Sequence, residues 1–185
     1  AALAYLMINQ QDGVGLTLFD NKIKTFIPPR SKPSHVNTIL SHLDNIGSGK
    51  DTDVGLVLHE MAERIKKRGL VIIISDLFDE VENIMRGLKH FRHNKQEIIV
   101  FHVMDRKELE FDFTNRTKFK DMETNEQITT EPWKIRKVYQ KSIQSYQNEL
   151  RLKCREQKID YVPLFTYQRL DLALNEYLKK RQRLG

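Results

Sequence analysis

Two apolar runs in this sequence end in a carboxylate. Leu70-Val71-Ile72-Ile73-Ile74 leads into Ser75-Asp76, and Ile98-Ile99-Val100-Phe101-His102-Val103-Met104 leads into Asp105. In open α/β sheets ligands bind in the crevice at the carboxyl ends of the strands, so both carboxylates stand where chemistry would occur. Thr52, just ahead of a helical pattern, would reach the same crevice. A hydroxyl and a carboxylate are hard oxygen donors suited to Mg²⁺, which takes few protein ligands and keeps several waters. Two ligands alone do not make a site. Asp76 also has a plain structural reading, as the cap of the helix that follows.

Other constellations fall short. Ser75 adjoins no histidine base and lies in no G-x-S-x-G elbow. Asp76 and Asp79 frame D-x-x-D rather than the D-x-D of aspartyl phosphoryl transfer, which leaves covalent carboxylate chemistry without support. Gly47-Ser48-Gly49-Lys50 has the glycines of a phosphate loop. However, Asp51 occupies the hydroxyl position of G-x-x-x-x-G-K-[ST], the upstream glycine is missing, and a helix precedes the loop. His90 and His93, one helical turn apart, could share a soft metal but have no third ligand in view. His102 reads as a hydrogen-bonded core imidazole, and Trp133 with Tyr139 as packing rather than a base-stacking platform. A metal-assisted hydrolase or nuclease using Asp76 and Asp105 remains an alternative that lacks a general base.

These residues need a scaffold, and the patterning supplies one. The run from Leu70 is too short and too β-branched for a helix and reads as a central strand buried on both faces. Helical periodicity flanks it: Val54, Val57, Leu58, Met61 and Ile65 before, and Val81, Ile84, Met85, Leu88 and Phe91 after. The strand over 97–104 continues a strand–helix–strand series, which implies a parallel sheet. Upstream, a helix to Gln10 precedes a hairpin of Val14–Phe19 and Ile23–Ile27 turning at Asp20-Asn21. The prolines in 28–33 are expected to end pairing there, and Ser34 to cap a helix carrying Val36, Ile39, Leu40 and Leu43. Downstream lie a polar hairpin inserted at about 111–130, a long helix from Pro132 to about Cys154, a late edge strand containing Pro163, and a final helix at about 170–178.

At 185 residues, with 39% hydrophobic and 30% charged content, the chain suits one globular domain. The excess of 31 basic over 25 acidic side chains gives +6, part of it in the tail 179–185. Such an excess permits contact with nucleic acid or acidic protein, but a solvated helix end explains the tail more simply. One cysteine, Cys154, excludes an internal disulfide and fits a reducing, cytoplasmic compartment. No apolar run reaches the roughly 20 residues that span a bilayer. Ala1-Ala2-Leu3-Ala4-Tyr5-Leu6 begins as if in mid-helix, so sequence is expected upstream.

The series Asp12-Gly13-Val14-Gly15-Leu16, Phe19-Asp20, Pro28-Pro29-Arg30-Ser31, Thr52-Asp53-Val54-Gly55, Arg68-Gly69-Leu70-Val71, Ile74-Ser75-Asp76-Leu77, Asp121-Met122-Glu123-Thr124 and Ile159-Asp160-Tyr161 resembles the bacterial von Willebrand factor A-like proteins of domain-of-unknown-function family fifty-eight. The resemblance runs from Ala1 to about Leu178. It implies a Rossmann-like three-layer sandwich, mostly parallel, with an antiparallel edge hairpin. It also implies a metal-ion-dependent adhesion site for Mg²⁺ or Mn²⁺, in which Thr52 and Asp76 match two of the ligands. The D-x-S-x-S loop that supplies the others would precede Ala1, so this chain is expected to bind metal weakly or not at all. Asp53, Leu77, Phe78 and Asp79 would shape a partner-binding rim. The family's first strand, central in the sheet, would also precede Ala1. Its loss implies two unpaired edges and recruitment of a strand by swapping or a homo-oligomer. The function implied is non-enzymatic protein interaction, with a MoxR-type AAA+ ATPase as partner in protein assembly or maturation.

Overall fold

Helix α1 (Ala2–Asn9) opens the chain and ends at Gln11, which takes a left-handed φ of 66°. Strands β1 (Val14–Phe19) and β2 (Ile23–Arg30) then form an antiparallel hairpin. Its turn is fixed by Asp20, whose carboxylate accepts from Lys22 N and pairs with Lys24 Nζ at 2.6 Å. The computed structural model describes residues 1–45, 53–113, 117–120, 127–130 and 132–169. The glycine-rich loop, Thr52, the final helix at about 170–178 and the tail 179–185 therefore lie outside the described residues.

The prolines do not end pairing as expected. β2 runs through Pro28 and Pro29 to Arg30, which pairs with Val14 across a bulge. Gly15 makes this fit, because a Cβ there would lie 2.7 Å from Ile27 O and 3.2 Å from Pro29. A two-stranded sheet has an outer edge on each strand, where a proline forfeits no ladder bond. Helix α2 (His35–Asp44) follows, with Ser34 at the cap position but no capping bond from its side chain. The buried His35 ties α2 to the hairpin through Nε2 and Val14 O at 2.9 Å.

Helix α3 (Val54–Arg64), β3 (Leu70–Ser75), α4 (Val81–His93), β4 (Glu97–Met104), the short α5 (Arg106–Glu110), α6 (Pro132–Glu156) and β7 (Asp160–Phe165) complete the frame. β5 (Thr117–Lys120) and β6 (Gln127–Thr130) pair antiparallel inside the insertion read from the sequence. Strands β3, β4 and β7 form a parallel sheet in that order. Pro163 lies on β7, at the edge, as its missing donor requires.

One face of this sheet carries the main core. Val71, Ile73, Ile98 and Val100 pack under Val57, Leu58, Ile84, Leu88 and Phe91 of α3 and α4, closed by Leu150 and Cys154 of α6. Here the helical spacing read from the sequence does what it predicts. The seam between α3 and α4 is unusually close, since a Cβ on Gly55 would meet Asn83 at 2.7 Å and one on Gly87 would meet Leu58 Cβ at 2.5 Å. The opposite face is smaller, with Ile99, Phe101 and Leu164 against Leu3 of α1.

β3 departs from the sequence reading. It is an edge strand among those described, not a central one, and it is buried on one face only. Val71 and Ile73 are buried, whereas Ile74 is 58% exposed and Leu70 also reaches solvent. Five apolar residues in a row state that a strand is apolar, not that both its faces are covered. The hairpin β1–β2 forms a sheet of its own, so the hydrogen-bonding edge of β3 is unpaired among the described strands.

Candidate functional site at the carboxyl edge of the parallel sheet

The chain leaves β3 at Ser75 and must turn sharply into α4. Leu77 makes that turn with a left-handed φ of 54°, a costly conformation for a γ-branched residue. The surroundings hold it there. His102, on the middle strand and only 4% exposed, faces the carbonyl of Asp76 with Nε2 at 2.9 Å. A carbonyl accepts only, so Nε2 carries the proton and Nδ1 accepts from the Tyr161 hydroxyl at 2.6 Å. Burial holds the imidazole below its ordinary pKa, consistent with this neutral tautomer. The Tyr146 hydroxyl, from α6, reaches the carbonyls of both Leu77 and Asp79. The core histidine read from the sequence is thus also a clamp beneath the loop.

The carboxylates on this loop have different fates. Asp79 is wholly engaged: Oδ2 accepts from Gly55 N at 2.9 Å, and Oδ1 accepts from Glu80 N at 2.6 Å and Asn83 Nδ2 at 3.1 Å. It satisfies one of the orphan donors at the start of α3 and joins that helix to the first turn of α4. Asp76 does not cap α4, whose N-cap Glu80 makes no side-chain capping bond, and Asp79 is a strut rather than a free rim carboxylate. Asp76 is exposed, and among the described residues its carboxylate meets only Ser75 Oγ, at 3.3 Å. Asp53 caps α3 by accepting from Leu56 N at 2.9 Å. Leu77 is 1% exposed, so its side chain belongs to the core, not the rim. Phe78, next to it, is 57% exposed.

Asp105 closes the neighbouring strand β4. It caps α5 in a capping box with Glu108 and accepts from Thr166 Oγ1 at 2.6 Å. The Thr166 bond first, and the Lys107 amide second, hold its carboxyl below the usual carboxylate range. Its carboxylate is thus engaged as an acceptor in the cap. Its D-x-x-E spacing to Glu108 signals that cap in the sequence. Of the two metal ligands read from the sequence only Asp76 lies among the described residues, beside Ser75 Oγ, which accepts from Leu77 N at 3.1 Å. No group of three His, Cys, Asp or Glu side chains converges among the described residues. His90 meets His59 of α3, Nδ1 to Nδ1 at 3.1 Å, and His93 is exposed. Tyr139 packs on Phe111 as expected, with ring centroids 4.3 Å apart, whereas Trp133 is exposed.

Fold and edge together give a mixed α/β domain with a parallel three-stranded sheet, at whose carboxyl edge the exposed Asp76 stands beside the exposed Phe78 ring. The chain belongs to the family described as "Protein of unknown function DUF58", whose model matches residues 1–149. Among solved structures it is similar to the conserved hypothetical protein BatB from Bacteroides thetaiotaomicron. The TM-score is 0.58 at 14% identity, over 98% of this chain and 86% of that one. At that identity the likeness concerns the fold alone. No curated protein matches. No helix among the described residues is long and apolar enough to cross a membrane.

Proposed function

We propose that the chain is a non-enzymatic interaction domain of the von Willebrand factor A type, which grips a protein partner at the carboxyl edge of the parallel sheet. The observation that carries this reading is the contrast on the β3–α4 loop. Asp79 is used up in holding the fold, while Asp76 and Phe78 make no comparable contribution and are held outward by His102 and Tyr146. A rigid carboxylate can accept hydrogen bonds from a partner's cation or backbone amides, and the adjacent ring offers apolar area at low entropic cost. The family resemblance supplies the partner class: a MoxR-type AAA+ ATPase acting in cytoplasmic assembly or maturation of other proteins.

Mg²⁺ or Mn²⁺ at Thr52 and Asp76 is confined to protein that also carries the D-x-S-x-S oxygen ligands, and the contact proposed here uses protein groups alone. A hydrolase or nuclease using Asp76 and Asp105 has less support, since Asp105 is committed to its cap. A second contact is supported by the unpaired β3 edge and exposed Ile74: addition of a strand, by swapping or from another copy of the chain.

The test is calorimetric titration of the chain with a purified MoxR-type ATPase, using Asp76→Ala and Phe78→Ala. The reading requires binding that each substitution weakens about tenfold or more, the scale of an interface hot spot. Binding indifferent to both would remove the carboxyl edge from the account.

A further inference from the structure

The opposite pole of the sheet carries a second surface. The loops entering β3, β4 and β7 come together at the amino edge of a parallel sheet, and here all three are basic. Lys66, Lys67 and Arg68 precede β3, Lys95 precedes β4 and Lys158 precedes β7. All five side chains are exposed and none has an ion-pair partner among the described residues. Lys158 shares a groove of about 620 Å³ with Lys89, Arg92 and His93 from the end of α4, with Glu156 its one carboxylate.

One feature separates this pole from an ordinary solvated face: preorganisation. Gln96, fully buried, accepts from Gly69 N at 2.7 Å and donates to Lys67 O at 2.8 Å and Ile65 O at 3.2 Å. One side chain thus fixes the backbone that bears Lys66, Lys67 and Arg68. Helices α4 and α6 also end here in the same motif: Gln96 N bonds to Phe91 O and Lys95 N to Arg92 O in one, Ile159 N to Cys154 O and Lys158 N to Arg155 O in the other. The left-handed residue in such an ending is usually glycine; it is lysine in these two, with φ of 61° at Lys95 and 55° at Lys158, and glutamine, Gln11, in the like ending of α1.

We infer that this amino-edge pole is a docking surface for an acidic segment of a protein, separate from the carboxyl edge and independent of the reading proposed for it. Glu156 lies in the groove, and Glu97 and Asp160, the first residues of β4 and β7, are exposed at the same edge. Discrete carboxylates on a peptide can be spaced around these acids, whereas the continuous phosphate row of a duplex would face them. Among the described residues Leu70 is the pole's exposed large apolar side chain, which offers bases no aromatic platform.

The experiment measures fluorescence anisotropy of a labelled polyglutamate peptide with the full chain. The peptide should bind at about 50 mM salt and weaken strongly by about 300 mM, as exposed pairs do when the Debye length shortens. The double reversals Lys66→Glu/Lys67→Glu and Lys89→Glu/Lys158→Glu should each weaken binding about tenfold, while Asp76→Ala leaves it unchanged. Lys95→Gly/Lys158→Gly should weaken binding yet raise Tm by about 2–4 °C, since relief of left-handed strain acts on the fold. The raised Tm reports an intact fold, so lost binding in this variant is not lost structure. Absence of polyglutamate binding at low salt, reversals without effect, or tighter binding of a DNA duplex or phosphatidylserine vesicles at equal salt would overturn the assignment.

Discussion

Asp76 and Asp79 are three residues apart on one loop and predict opposite behaviour. Asp79→Ala removes three acceptor contacts, from Gly55 N, Glu80 N and Asn83 Nδ2. The amide of Gly55 is the most consequential: Gly55 is buried at the start of α3, and the substitution leaves that donor without its partner. Loss of a helix cap costs about 0.5–2 kcal/mol, and loss of a further side-chain bond about 0.5–1.5 kcal/mol. The sum is about 1–3.5 kcal/mol, or a fall in Tm of roughly 2–14 °C for a domain of this size. Asp76→Ala removes one long contact from an exposed residue and should stay within about 0.5 kcal/mol of the parent. Urea unfolding followed by circular dichroism separates the two, with the denaturant slope checked for constancy. A cost below about 1 kcal/mol for Asp79→Ala, or an equal cost for Asp76→Ala, would refute the division into strut and free carboxylate.

Other substitutions probe the frame and the clamp. Gly87→Ala should destabilise by about 1–2 kcal/mol despite the better helix propensity of alanine, because the new Cβ would lie 2.5 Å from Leu58 Cβ; a more stable variant by calorimetry would contradict the close seam. Burial pushes the Cys154 thiol up to about 12, above its ordinary 9.0. Its contribution is complete below the unfolded value and lost as pH rises toward 12, so Cys154→Ala should show a shallower loss of stability across that window in pH-resolved urea titrations. His102 has its pKa lowered by burial from 6.5, which reverses the sign: its contribution is complete above the unfolded value and is lost as pH falls through the folded one. His102→Phe should cost about 1–3 kcal/mol at neutral pH, by stranding the Tyr161 hydroxyl and the Asp76 carbonyl, and should flatten the acid limb. An unchanged acid limb would exclude His102 as its source.

The elements of the fold were legible because periodicity survives in the folded chain. Val57, Leu58, Ile84 and Phe91 occupy the core that their spacing predicts. What surrounds an element was not legible. The run Val71–Ile74 is equally apolar whether a strand flanks it or not, so its exposed face appears only in three dimensions, whereas unpaired sheet edges were implied by the family resemblance. Pro28 and Pro29 signalled a break, yet an edge strand tolerates them. The division of labour between Asp76 and Asp79 depends on the approach of Gly55 from another helix, 24 residues away. Gln96, Tyr146 and the left-handed lysines gave no signal, since each acts through contacts distant in sequence or through a backbone angle. Thr52 and the glycine-rich loop lie outside the described residues, so of the metal ligand pair only Asp76 is described.

The central claim is that partner recognition occurs at the carboxyl edge, on the loop held by His102 and Tyr146. Amide hydrogen exchange of the chain, alone and with a purified MoxR-type AAA+ ATPase, tests it directly. The account predicts new protection of amides in 75–80 in the complex, abolished by Asp76→Ala while the α3 and α4 amides keep their own protection. A bound complex whose protection lies elsewhere and leaves 75–80 exchanging as in the free chain would contradict it.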